Sequence, residues 1–212
     1  MRKTLALGIA AGALVALAGT APAYASHDDD AQLSVLHGIP GVTVDVYVDN
    51  ALTLDNFEPG TLAGPLDLER GKYTVAITAA DAADASDPII GPVELKLKSG
   101  KNYTAVAHLT EDGQPTATLF RNQTNPVQDG KGRLTVRHVA AAPAVDILAG
   151  GTPVISDLAN PDQAKLTLAA GSISAAVAAA GTTDPVIGPA DVSVTEGVNT
   201  IVYAWGSLSD GT

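Results

Sequence analysis

The chain of 212 residues states one pattern twice. Leu33-Ser-Val-Leu-His37 returns as Leu134-Thr-Val-Arg-His138. Val44-Asp45-Val46 returns as Val145-Asp146-Ile147, and Asp87-Pro-Ile-Ile-Gly-Pro92 returns as Asp184-Pro-Val-Ile-Gly-Pro189. The offset between copies falls only from 101 residues to 97 along the repeat, so small loop changes separate them. A repeat of this size is a domain rather than a solenoid unit. The chain is therefore expected to build two homologous units, 31–121 and 132–206, joined by a linker at 122–131 and followed by a short tail at 207–212. The linker is polar, long enough for a hinge and short enough to keep the units neighbours.

Residues 1–25 read as an export signal and not as part of either unit. Arg2 and Lys3 precede an apolar run from Leu5 to Ala18, and Ala23-Tyr-Ala25 has the small-residue form of a cleavage site. The run is shorter than the roughly 20 residues that a membrane span requires. Cleavage would leave a flexible acidic start at 26–30, and the mature protein is expected to be secreted, with no membrane span.

Composition narrows the chemistry. With no cysteine, each unit must be held by its own core. Beyond residue 25 there are 10 basic and 23 acidic side chains, a net charge of −13. That field disfavours nucleic acid and anionic membrane surfaces and favours solubility. The expected partner is another protein or a cell surface.

Hydrophobic periodicity is that of strands throughout. Val93-Glu-Leu-Lys-Leu-Lys98 and Val42-Thr-Val-Asp-Val-Tyr-Val48 alternate with period two. Lys72 to Thr78 and Asn102 to His108 are rich in β-branched and aromatic residues. Turn signals such as Pro40-Gly41, Asp49-Asn50, Arg70-Gly71 and Asp112-Gly113 separate them. The fold class expected is all-β: two tandem immunoglobulin-like β-sandwiches of about seven strands each. The alanine-rich stretch 175–180 is read as extended, because its counterpart at 76–80 is strand-like. The first copy closes with a hairpin through Thr116 to Arg121. The second copy has no room for that strand, so its last edge is either open or covered by something else.

Several residues carry a family resemblance. Each copy opens with a strand ending in His, then a proline turn, then a hydrophobic–Asp–hydrophobic strand: His37-Gly-Ile-Pro40 with Val44 to Tyr47, and His138 with Ala142-Pro143 and Asp146. Gly71-Lys-Tyr-Thr-Val75 and Ser99-Gly-Lys-Asn-Tyr-Thr104 follow. The set resembles the secreted bacterial tandem-repeat family DUF4397, a domain of unknown function. The resemblance implies an immunoglobulin-like sandwich on an exported or cell-surface protein and implies no activity.

Candidate chemistry is sparse. His37 with Asp45, and His138 with Asp146, stand at one spacing in both copies. A carboxylate beside an imidazole can orient a tautomer for proton transfer or metal binding. Strand parity sends His37 inward and Asp45 outward unless a bulge intervenes, which favours a structural pair. Tyr47, also outward by parity, and Trp205, ending the last strand where the first copy has His108, are the candidate ligand contacts of a sugar-stacking surface. Asp81, Asp84 and Asp87 do not match a calcium loop. No cofactor or metal is expected. No HExxH, GxSxG elbow, phosphate loop or dinucleotide fingerprint is present. The reading is a non-catalytic structural or interaction protein, with a glycan- or cell-wall-binding module as the alternative and an unrecognised hydrolase behind both.

Overall fold

The computed structural model describes residues 30–212, so the expected signal peptide and all but the last residue of the acidic start lie outside the described residues. Among the described residues all regular structure is strand. The first copy contains β1 (Ala31–His37), β2 (Val44–Val48), β3 (Ala51–Phe57), β4 (Leu62–Leu68), β5 (Gly71–Ala79), β6 (Ile90–Leu97), β7 (Asn102–Leu109) and β8 (Pro115–Asn122). The second contains β9 (Lys131–Ala141), β10 (Val145–Ala149), β11 (Thr152–Leu158), β12 (Gln163–Ala169), β13 (Gly171–Ala179), β14 (Pro185–Val194) and β15 (Asn199–Ser207). The first copy thus has eight strands where about seven were expected, and the second has seven. The alanine-rich stretch is strand β13.

Two β-sandwiches form. In the first, β4-β1-β7-β8 faces β3-β2-β5-β6; in the second, β12-β9-β15 faces β11-β10-β13-β14. Each sandwich has one parallel pair, β1 with β7 and β9 with β15, which ties the start of the copy to its end. The first core gathers Leu33, Val46, Phe57, Ile77, Leu95 and Tyr103. The second gathers Leu134, Val136, Val145, Ile147 and Leu158. Both sets are the apolar positions of period-two strands, turned to one face by the pleat.

The two sandwiches pack on one another. The outer face of β1-β7-β8 packs on the outer face of β9-β15 through Leu36, Val106, Phe120 and Val139, with Tyr203 and Trp205 against them. The molecule is a stack of four sheets in which the inner two are covered on both sides. Every residue of β9 after Lys131 is buried, polar ones included. The linker is pinned as well: the Arg133 guanidinium donates to the carbonyls of Gln123 and Asn125, and the Asn199 amide donates to Gln123.

Candidate functional site

The repeated histidines and aspartates are all buried, yet neither pair is hydrogen-bonded together. His37 Nε2–H donates to the Val42 carbonyl at 2.7 Å, and Nδ1 accepts the Ile39 N–H at 3.3 Å. The ring lies over Phe57, centroids 5.8 Å apart. It holds the turn between β1 and β2 in one conformation. Asp45 Oδ1 accepts the N–H of Asn56 at 2.8 Å. Asn56 is a left-handed residue (φ 52°) in a bulge of β3, where the register slips opposite Asp45. The second copy repeats the device with Asp146 and the N–H of Asp157 (φ 54°), at 2.9 Å. Asp146 also accepts the Gly181 N–H at 2.9 Å, from the loop after β13.

Parity placed Asp45 and Tyr47 outward, and both are buried instead, at 3% and 7% exposed. The outer face of β2 and β5 is covered here: Thr78 and Ala76, the partners of Asp45 and Tyr47 in register, are buried too. Tyr47 therefore presents no sugar-stacking platform. Trp205 is half-buried in the contact between the sandwiches. A Cβ on Gly60 (φ +76°) would lie 3.3 Å from its ring, a tight approach, so the glycine eases the seating of the indole on the first sandwich. Among the described residues no group of three or more His, Asp or Glu side chains converges as a metal site.

The copies differ in two ways. His37 uses both ring nitrogens. His138 donates Nε2–H to the Pro143 carbonyl at 3.0 Å, and its buried Nδ1 has no partner. The second difference is the missing strand. In the first sandwich β8 pairs along β7 and packs across to β6, closing that side. In the second, no strand among the described residues lies beyond β15. Ile90 and Ile187 occupy one position of the Asp-Pro-x-Ile-Gly-Pro repeat, but Ile90 is 5% exposed and Ile187 48%. The open side is an apolar cleft of about 500 Å³, lined by Val145, Val177, Val186, Ile187, Ala204 and Leu208, with His138 among its walls.

Sequence reasoning missed the polar centre of the inter-sandwich contact. Arg137 is fully buried. It donates to Gln163 Oε1 at 3.1 Å, Tyr203 Oη at 2.7 Å and Asn122 Oδ1 at 2.6 Å, and lies 4.4 Å from the centroid of Phe120. The signal that points to it is the repeat itself, since Arg137 stands where the first copy has Leu36, on the outer face of its sheet. Nearby, His108 donates Nδ1–H to the Leu109 carbonyl and takes the Thr118 hydroxyl on Nε2.

Burial lowers the pKa of both His37 and His108, with the neighbouring His138 adding to the effect at His108. Between the lowered folded value and the ordinary 6.5, the unfolded chain binds protons that the folded one does not. Stability is then full above pH 6.5 and falls as the pH drops below it. The expected slope is at most about 1.4 kcal/mol per pH unit for each histidine. Urea midpoints at pH 7.5 and 5.5 measure it. His108→Gln should lower stability at pH 7.5 and flatten the decline; an unchanged slope would exclude His108 as its source.

The repeated polar residues hold turns and bulges, and the open side of the second sandwich is apolar. The chain belongs to the family described as Domain of unknown function (DUF4397), which matches residues 31–148, the whole first sandwich and the start of the second. No curated protein matches the chain. Among solved structures it is similar to the Bacillus anthracis TIE protein, at 19% identity and a TM-score of 0.26. That likeness covers 84% of this chain, which spans about a third (34%) of the other.

Proposed function

We propose that this is an exported, non-catalytic interaction protein whose second sandwich binds an extended segment of a partner protein along the free edge of β15. The observation that carries the reading is the contrast between Ile90 and Ile187. The same side chain is core in one copy and surface in the other because one strand is missing. The first copy also defines the occupant: an antiparallel strand like β8, turning Ala117 and Leu119 into the core.

Backbone geometry supports the same docking. The Ser207 N–H donates to Thr212 O, and the Thr212 N–H donates back to Ser207 O. That is the first rung of an antiparallel pair on the outer side of β15. By the two-residue alternation of a strand, Ile201, Tyr203 and Trp205 turn their own N–H and C=O groups to that side. Strand addition satisfies such groups while side-chain pockets select the sequence. β15 carries no charged residue that would guard the edge. The unpartnered Nδ1 of His138 is an acceptor beside the cleft.

A peptide with the sequence of residues 115–122 is the direct probe. Titrated into the protein, it should shift the methyl resonances of Val186 and Ile187 and leave those of Ile90 unmoved. Ile187→Asp should abolish binding without unfolding the chain, since that side chain is exposed. Absence of shifts at millimolar peptide would sink the proposal.

A further inference from the structure

The net charge of this protein hides a local reversal. Beyond residue 25 it has ten cationic side chains. Arg70, Lys72, Lys96, Lys98 and Lys101 line a single cleft of about 540 Å³ at the end of the first sandwich where β5 begins and β6 ends. Lys101 also lines a second cleft of about 340 Å³, with Arg121 at the end of β8 and Lys165 on β12. Seven of the ten cations thus meet in two clefts that share a residue, and no carboxylate lines either one. Glu94 pairs with Lys72 at the rim, at 3.0 Å. Beyond residue 25 acids outnumber bases by 23 to 10, so this clustering of cations runs against the average composition.

The second cleft adds neutral hydrogen-bonding groups that can both donate and accept. Besides its cations it is lined by Asn102, Asn122, Gln123, Thr124, Asn125 and Gln163. Behind it lies Arg137, buried and without a carboxylate partner. Arg137 takes the side-chain carbonyl oxygens of Asn122 and Gln163. The Asn122 amide nitrogen then serves Asn102 and Thr104, while that of Gln163 is left as a donor at the cleft. A buried positive charge with amide donors in front of it favours an anion, and little water screens it from the back.

We infer that these clefts form one binding site for an anionic polysaccharide, whose acidic groups meet the lysines and arginines and whose hydroxyls meet the amides. Each cleft has the volume of an ordinary ligand site. No aromatic side chain lines either one, so neither stacked nucleic-acid bases nor a neutral sugar platform fits. A bare polyphosphate would leave the amide and threonine acceptors without donors. The site is separate from the strand-binding edge: Lys165 is on β12, at the opposite edge of its sheet from β15.

The test uses the chain from Ser26 onward, titrated in low salt with polygalacturonate and with dextran sulfate. Neutral dextran and polyphosphate serve as comparisons. Both acidic polysaccharides should bind, and binding should weaken steeply as salt rises. Lys96, Lys98, Arg121 and Lys165 are exposed, so replacing all four by Gln should leave the melting curve unchanged and weaken binding by about tenfold or more. The inference is overturned if neither acidic polysaccharide binds above neutral dextran, or if the fourfold variant binds as well as the parent. Equal affinity for polyphosphate would overturn the assignment to a glycan. The strand-site variant Ile187→Asp should bind polygalacturonate as the parent does, so the two sites stand or fall separately.

Discussion

Replacing Arg137 by Ala should cost about 3–5 kcal/mol and split one unfolding transition into two. The guanidinium bridges the sandwiches: Asn122 and Phe120 belong to the first, Gln163 and Tyr203 to the second. Removing it leaves three half-buried polar groups without their donor; a fully buried group left unsatisfied costs about 1–3 kcal/mol, and water reaching these lowers that figure. It also empties the space against the Phe120 ring, a further loss of cavity type. One effect acts the other way. Burial lowers the Arg137 pKa, so a desolvation cost is relieved when the charge goes. Arg137→Met separates the contributions, because it keeps most of the stem and removes the fork. The Met variant should recover part of the loss and still unfold in two steps. A calorimetric or urea transition that stays single and at parental stability in both variants would show that apolar packing alone joins the sandwiches.

Ile90→Ala should destabilise the protein by about 2–5 kcal/mol, the usual cost of truncating a buried Ile. Ile187→Ala, at the same position of the repeat, should cost less than about 0.5 kcal/mol, as for an exposed site. Residue type and position in the repeat are the same in both. The largest difference between them is whether a strand lies across the opening. Addition of the 115–122 peptide should raise the midpoint of the parent and should do so less for Ile187→Ala. Equal costs for the two substitutions would mean that the second cleft is already filled by its own chain.

Much of the architecture was legible from residues alone. The period-two strands, the turns between them and the extended state of the alanine-rich segment all follow from local pattern and from comparing copies. Such features rest on backbone sterics and on the burial of one strand face, which act within a few residues. The candidate sites were less legible. Asp45 and Tyr47 alternate correctly with Val44 and Val46, but alternation says only which face a side chain takes, not whether that face meets water. The bulge at Asn56 and the covering of the outer face were decided elsewhere in the chain.

The same limit explains Arg137 and the basic clefts. Arg133, Thr135 and Arg137 alternate with Leu134 and Val136 as a solvated face should, and their face is indeed the outer one. Docking of the other sandwich buries it. Lys98, Arg121 and Lys165 are far apart in sequence, and only the stacking of the sheets brings them to neighbouring walls. The repeat, read by itself, determined that there are two sandwiches and where their strands run, because these depend on short-range sterics and on hydrophobic period. Which faces are dry, which edge is open and where the few cations gather were decided only by the tertiary structure, because burial and electrostatic potential depend on every surface brought near, and no local pattern records them.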